Sequence, residues 1–406
     1  MVNPEQSAHD FPPTHSGGPD SFHAAGAAGG DEGVGTMTAE ESLPVDALAT
    51  DASLWAVVLA GGIGSRFWPL SAPGRPKQLL ALVGDRPLIA DTIARLAPLI
   101  PAERVLVLTS RDIADQLHAA IPEVPAANML VEPRPLGTAA ALAWGAQEVA
   151  KRAGPRTVFV ALHADLAVAY PDEFRRALRR ASGIAAAGDE LVVLATRPTR
   201  PDTGFGYMQP GMPLERELPL SQGGAVRVER FVEKPGAILA ETMIERGALW
   251  NTGVFVWEAQ VVLDALAAHT PELEHGLPAL AAGRLDRFAG LIQSVSIDRG
   301  LLERSDKVVA LPADFGWDDV GTWACLRRVR ELDDTGNGVS GDAHLVEASS
   351  NIVHAEAGTV VVYGCTSMLV VTLDGLTFVT PLERAKELKP LLDALPERVK
   401  RQVASD

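Results

Sequence analysis

One stretch constrains this chain more than any other, Leu54 to Leu80, LWAVVLAGGIGSRFWPLSAPGRPKQLL. Its first residues are apolar and partly β-branched, too few for an independent helix, and bounded by Gly61 and Gly62, which predicts a buried parallel strand. The strand empties into a glycine turn. Gly61, Gly62 and Gly64 can take backbone angles closed to other residues and let a ligand approach the main chain, so amides here can point at phosphate oxygens. Arg66 follows directly, and Lys77 stands beyond an excursion containing Pro69, Pro73 and Pro76 that can fold back over whatever the glycines hold. Two cations beside such a turn describe a polyphosphate site. A dinucleotide fingerprint counted from Gly62 and Gly64 needs a third glycine where Phe67 stands, and no P-loop ending in Gly-Lys-Ser or Gly-Lys-Thr is present.

With 406 residues, 47% of them hydrophobic, the chain can bury one large core and a smaller appendage. Its apolar runs fall well short of the ~20 residues that span a bilayer, and the amino terminus lacks the basic-then-apolar order of a secretory signal, so a soluble cytoplasmic protein is expected. Cys325 and Cys365 are isolated, suit a reducing compartment and read as core residues. The formal net charge is −16, but residues 1–53 hold nine acids and no Lys or Arg, which leaves −7 on the remainder. Nucleic acid would call for a basic stripe, which is missing; a small anionic substrate needs only a few local cations.

Residues 1–53 are rich in Gly, Ala, Pro, Ser and acids without apolar periodicity, and are expected to be a disordered acidic tail. His9, His15 and His23 are scattered in it at spacings unsuited to a metal, and Met37 is an alternative start. From Leu54 onward, short apolar runs alternate with amphipathic helices, the rhythm of a Rossmann-like, mostly parallel α/β sheet with helices on both faces. Strands are expected at 54–59, 105–109, 129–131, 158–162, 191–195 and 308–311. In the first helix Asp85 is the expected cap and Leu88, Ile89, Thr92, Ile93 and Leu96 form one face; further helices are expected near 138–152 and 171–187. Open sheets of this kind bind ligands beyond the carboxyl ends of their strands, where the glycine turn lies. After Asp333–Gly338, read as a linker, five short β-rich runs between 343 and 379 precede a helix over 382–395.

GGIGSRFWPLS followed by RPKQLL resembles the signature of sugar-phosphate nucleotidyltransferases, and its Phe-Trp-Pro-Leu-Ser form is similar to that of the mannose-1-phosphate guanylyltransferases (GDP-mannose pyrophosphorylases), with Phe67 where that family usually has Leu. Further segments extend the resemblance over about Leu54 to Leu395. Glu132-Pro133 with Gly137-Thr138-Ala139 resembles the family's loop beside the nucleotide base, Gly137 replacing an Asn; read alone, Thr138 is equally an ordinary helix cap. His163-Ala164-Asp165-Leu166 resembles its Pro-Ala-Asp-His motif, whose Asp binds the divalent cation, with both flanks changed. Gly204-Phe205-Gly206-Tyr207, Glu233-Lys234-Pro235 and Trp250-Asn251-Thr252-Gly253 are similar to its sugar-binding motifs, although Glu233 and Lys234 alone would pass for exposed strand charges. Gly316-Trp317-Asp318-Asp319-Val320-Gly321 carries the matching second metal carboxylate at Asp319, while Asp318 suits a helix cap.

The resemblance implies transfer of GMP from GTP to mannose-1-phosphate, giving GDP-mannose and pyrophosphate. It implies catalytic Arg66 and Lys77; nucleotide contacts from Gly61, Gly62, Gly64, Ser65, Glu132 and Thr138; sugar-phosphate contacts from Gly206, Glu233, Lys234 and Asn251; and Mg²⁺ on Asp165 and Asp319. It also implies a small carboxyl-terminal β-helix-like unit, giving a tail over 1–53, a catalytic domain over 54–332 and a β unit over 339–406. A cupin-type isomerase domain, such as longer relatives carry, is not expected. Neither nucleic acid nor membrane is an expected partner, and a homodimer stays open. So do two other readings: another sugar phosphate or nucleotide, and a catalytically silent nucleotide-binding regulator, which would be expected to have lost Lys77 or a metal Asp.

Overall fold

The computed structural model describes residues 54–62, 65–72, 74–214 and 224–400; the acidic tail and Gly64 lie outside them, as does the side chain of Ser65. The central sheet is built from β1 (Trp55–Leu59), β2 (Val105–Ser110), β3 (Met129–Glu132), β4 (Val158–His163) and, after a short β5 (Leu166–Val168), β6 (Leu191–Thr196), β7 (Gly206–Pro213), β8 (Val226–Glu233), β9 (Leu249–Glu258) and β10 (Val308–Pro312). Their order is β3-β2-β1-β4-β9-β6-β10-β8-β7. β3, β2, β1 and β4 are mutually parallel, as are β6 and β10. β9 runs antiparallel between β4 and β6, and β7 and β8 join antiparallel at the far edge. The expected mostly parallel sheet is therefore a mixed one. A strand buried on both faces reads as a continuous apolar run in either direction, so composition does not reveal the reversal at β9.

Helices α1 (Leu88–Leu96), α2 (Ala114–Ala120), α3 (Thr138–Ala153), α4 (Pro171–Ala186), α5 (Ala237–Glu245) and α6 (Ala259–His269) punctuate the strands. Side chains alternate across β1 with period two. Val57 and Leu59 join a core with Leu142 and Val149 of α3 and Leu266 of α6, whereas Ala56 and Val58 join Ile89 and Ile93 of α1, Leu117 of α2 and Phe174 of α4. Each fully buried Val, Leu or Ile contributes roughly 1.5–3 kcal/mol, so β1 is anchored from both sides before the chain turns at its glycines. The five expected α1 face residues are all buried. Asp85 is not the cap: the helix starts later, with Pro87 in the cap position, whose fixed φ suits an entry without a side-chain acceptor.

β11 (Trp317–Asp319) pairs antiparallel with β5, Asp319 opposite Leu166. This short strand precedes the helical turn Trp323–Cys325. Asp333–Gly338 is a tight turn rather than a free linker: Asp333 Oδ1 accepts the amides of Thr335 and Asn337 at 2.9 and 2.8 Å, and the buried Asn337 donates to the Ala348 carbonyl. β12 (Gly338–Ser340) emerges from it, followed by β13 (Ala343–Val346), β14 (Ile352–Ala355), β15 (Val360–Tyr363), β16 (Met368–Leu373) and β17 (Leu376–Pro381). β12, β14 and β16 form a parallel ladder closed by an antiparallel β17, and β13 pairs parallel with β15. The expected terminal helix is broken into Arg384–Lys386 and Lys389–Ala394, because Pro390 cannot continue a helix from the preceding turn.

These ladders pack on the proline-containing excursion. Phe67, Trp68 and Leu70 share a core with Trp323, Ile352, Leu369 and Phe378. Trp68 meets Phe378 edge-on at 5.3 Å, and the Trp323 indole donates to the Trp68 carbonyl at 3.0 Å. Arg75 forms a bidentate pair with Glu356 at 2.9 and 2.6 Å.

Candidate active site

A cleft of about 410 Å³ opens along one edge of the central sheet, lined among others by Arg66, Lys77, Asp165, Glu233, Lys234, Asn251 and Asp319. Strand register explains the convergence. The glycine turn leaves the carboxyl end of β1, and Asp165 follows the carboxyl end of its parallel neighbour β4. Because β9 is antiparallel, its amino end reaches the same edge, with Asn251 opposite Ala195 of β6 and Trp250 opposite Tyr207 of β7. Gly206 then lies opposite Glu233. The β5–β11 pairing brings Asp319 up beside Leu166 and hence beside Asp165.

At one end of the cleft, Lys77 is only 7% exposed, and its Nζ lies 2.8 Å from Asp165 Oδ2 and 5.6 Å from the centre of the Phe67 ring. Burial alone would raise the Asp165 carboxyl; Lys77 and His163 outweigh it and hold the group below the usual carboxylate range. Asp319 goes the other way. Burial raises it, and the neighbouring Asp165 charge adds to the rise against the pull of Lys77 and His163. Two carboxylates of opposite bias, one already neutralised by an ammonium, fit a hard divalent cation that takes one or two protein carboxylates and completes its shell with water and phosphate. Among the described residues there is no group of three or more His, Cys, Asp or Glu that could cage a metal alone.

At the other end, a side chain at position 206 would place its Cβ 2.8 Å from both Glu233 Oε2 and the Phe231 ring, so only glycine lets that carboxylate lie across the strand. Lys234 Nζ is 2.6 Å from Glu233 Oε1, and the Asn251 Nδ2 donates to Asp298 Oδ1 at 2.9 Å. An aromatic group of Phe205, Trp250 and Trp317 backs this end.

Other expected site residues sit apart from the cleft lining. Gly61 and Gly62 are exposed just beyond β1; the buried Gln78 donates to the Ala60 carbonyl at 3.0 Å and to that of Gly62 at 3.4 Å, tying the turn to the Lys77 segment. Glu132 ends β3, its carboxyl raised by burial. Thr138 does not cap its own helix: Gly137 takes that position, and Thr138 Oγ1 accepts the Ile297 amide at 2.8 Å. At Gly137, with φ of 87°, a Cβ would fall 2.5 Å from Ser294 Oγ, which explains why this chain has no Asn there. Asp318 is not a cap either; it holds Arg328 through two bonds of 2.5 and 2.8 Å. Cys325 is buried, and burial pushes its thiol up to about 11, whereas Cys365 is only partly covered. Asp298 and Gln78 went unassigned in the sequence. Both lie in stretches of mixed polarity, and nothing local marked either of them.

Residues 55–335 match the nucleotidyl transferase family. The chain is 30% identical over 370 residues to a mannose-1-phosphate guanylyltransferase of Sinorhizobium fredii, covering 87% of this chain and 70% of that one. It is 32% identical over 357 residues to a mannose-1-phosphate guanylyltransferase of Escherichia coli, covering 84% and 73%. A crystal structure described as the mannose-1-phosphate geranyltransferase of Thermus thermophilus superposes with a TM-score of 0.75 at 33% identity, covering 84% of this chain and 98% of the other.

Proposed function

Since the chain belongs to the nucleotidyl transferase family, among the mannose-1-phosphate guanylyltransferases, we propose that it transfers GMP from GTP to mannose-1-phosphate. The observation that carries this reading is the single cleft holding Lys77, Asp165 and Asp319 at one end and Glu233, Lys234 and Asn251 at the other. An oxygen of the sugar phosphate attacks the α-phosphorus of GTP, the bond from that phosphorus to the bridging oxygen breaks, and pyrophosphate leaves with the electron pair. The nucleophile is already an anion at neutral pH and needs no base. What the site must supply is alignment of two anions and fixed positive charge where the leaving group gains negative charge.

Lys77 is placed for that. One of its three N–H donors is taken by Asp165, which leaves two for phosphate oxygens, and its buried stem fixes the ammonium in position. Arg66, exposed in the cleft lining, adds a second cation to the triphosphate, with backbone donors from Gly61, Gly62 and Ser65. Asp165 and Asp319 would hold Mg²⁺, which when bound neutralises phosphate charge. Glu233 and Asn251 bind sugar hydroxyls, Lys234 meets the sugar phosphate, and Gly206 opens the space between them. Glu132 and Thr138 flank the loop assigned to the base.

In this reading residues 54–332 are a cytoplasmic catalytic domain, and the ladders of 339–406 are sides of a β-helix-like unit that braces it. Pyrophosphate release measured with GTP, ATP, UTP and dTTP, each against mannose-1-phosphate and glucose-1-phosphate, tests the assignment. GTP with mannose-1-phosphate should be turned over fastest; a different preferred pair would replace the substrates named here.

A further inference from the structure

Asp298 has no role assigned from the sequence, yet it lines the cleft beside Asn251. It stands on a single π-helical turn, Asp298–Leu302, a geometry found disproportionately at functional sites. The turn is fastened at several points. The Ile297 amide donates to Thr138 Oγ1 at the start of α3, the Ala139 amide donates to the Val295 carbonyl, and Thr270 Oγ1 at the end of α6 donates to the Gly300 carbonyl at 2.8 Å. A carboxylate held this firmly can orient a neighbour.

That neighbour is Asn251. Its Nδ2 donates to Asp298 Oδ1 at 2.9 Å, and its Oδ1 accepts the Gly253 amide at 2.9 Å. Bonded at both ends, the amide cannot flip, and it keeps one N–H and one lone pair for a ligand. Without Asp298, the amide would be held at its oxygen end alone, by the Gly253 amide.

We propose that Asp298 is a positioning residue for the sugar: it locks the Asn251 amide in the orientation that, beside the Glu233 carboxylate, matches a pair of adjacent hydroxyls of the sugar phosphate. The inference rests on the functional reading above and deepens it. Supporting it, the group is held at an energetic disadvantage. Burial, and then the Glu233 charge, push its carboxyl up to about 6, while His163 at the end of β4 and Lys234 at the end of β8 pull it back. A folded-state pKa above the ordinary value of 3.8 means that ionised Asp298 opposes folding, increasingly as pH rises from about 4 to about 6 and fully above that. Strongly perturbed acids in clefts cluster at functional sites.

The test compares Asp298→Ala and Asp298→Asn in the full chain, by steady-state kinetics with each substrate varied and by calorimetric titration of mannose-1-phosphate. Asp298→Ala should raise KM and Kd for the sugar phosphate about 10- to 100-fold while KM for GTP moves less than about twofold. Asp298→Asn keeps an acceptor for the Asn251 amide, so it should recover most of that loss and also melt higher than wild type at pH 7.5. In an Asn251→Ala background, Asp298→Ala should add little. Should Asp298→Ala fail to fold, Asp298→Ser, polar but out of reach, takes its place. Unchanged sugar-phosphate affinity, or equal rises in both Michaelis constants, would overturn the proposal. If wild type ignores mannose-1-phosphate, the substrate assignment fails instead, and the same split measured with the sugar phosphate that does drive pyrophosphate release decides Asp298 separately.

Discussion

Asp165 and Asp319 share one end of the cleft but are biased in opposite directions, and that asymmetry separates what each does for stability from what each does for turnover. Asp165 gains more from Lys77 and His163 than it loses by burial, so in metal-free buffer Asp165→Asn should lower Tm by leaving the buried Lys77 ammonium without its partner. Asp319→Asn removes a carboxylate raised by burial and by its neighbour, and should leave Tm unchanged or higher. Both should abolish divalent-dependent turnover; near-wild-type activity of either at low Mg²⁺ would remove that residue from the metal site. Along the cleft a second division is expected. Lys77→Ala should cost about 10²- to 10³-fold in kcat, as for other preorganised charges at a reacting phosphate. With Glu233 and Asn251 proposed to bind hydroxyls remote from the chemistry, Glu233→Gln and Asn251→Ala should raise KM for the sugar phosphate roughly 10- to 150-fold while sparing that for GTP. Weakened GTP binding in Asn251→Ala would show the two ends of the site to be reversed.

Among the elements, the excursion after the glycine turn depends on the carboxyl-terminal ladders. Phe67 and Trp68 pack on Trp323 and Phe378, and Arg75 reaches Glu356. Burial alone would raise the Glu356 carboxyl, but His354 and Arg75 hold it at about 2, against an ordinary value of 4.5. A depressed acid stabilises above its unfolded pKa, so this contribution is complete above about pH 4.5 and disappears as pH falls toward 2. Glu356 is about a third exposed, which screens the pair to about 1 kcal/mol. Glu356→Gln should therefore lower Tm by a few degrees at pH 7 and by less at pH 3; equal shifts at both would show that the pair is not the cause. Elements with strong local signals were legible in the sequence: β1, β2, β4 and β6 by their apolar runs, and the α1 face by its period. β9 was not legible as antiparallel, because burial on both faces hides strand direction, and the 333–338 turn looked like a linker because Asn337 and Asp333 are polar although they bond one another. Of the cleft lining, Arg66, Lys77, Asp165, Gly206, Glu233, Lys234, Asn251 and Asp319 could be named from motifs in the sequence. Asp298 and Gln78, which act by holding other residues, could not, since a hydrogen bond to a residue distant in sequence leaves no local pattern.

At the scale of the whole molecule, charge is divided between a tail with nine acids and no Lys or Arg and a body that carries its cations locally, Arg66, Lys77 and Lys234 in the cleft among them. Among the described residues no helix is long and apolar enough to cross a membrane. Deleting residues 1–50 should leave Tm and kcat nearly unchanged, since a segment without apolar periodicity has little to bury; a fall of more than a few degrees in a thermal melt would show that it docks. The activity itself is tested most directly by following atoms. Mannose-1-phosphate bearing ¹⁸O on its three non-bridging phosphate oxygens, incubated with GTP, Mg²⁺ and the protein, should give GDP-mannose that retains all three labels and pyrophosphate that carries none. Label in the pyrophosphate, or no GDP-mannose while another nucleotide and sugar phosphate react, would contradict guanylyl transfer in this cleft.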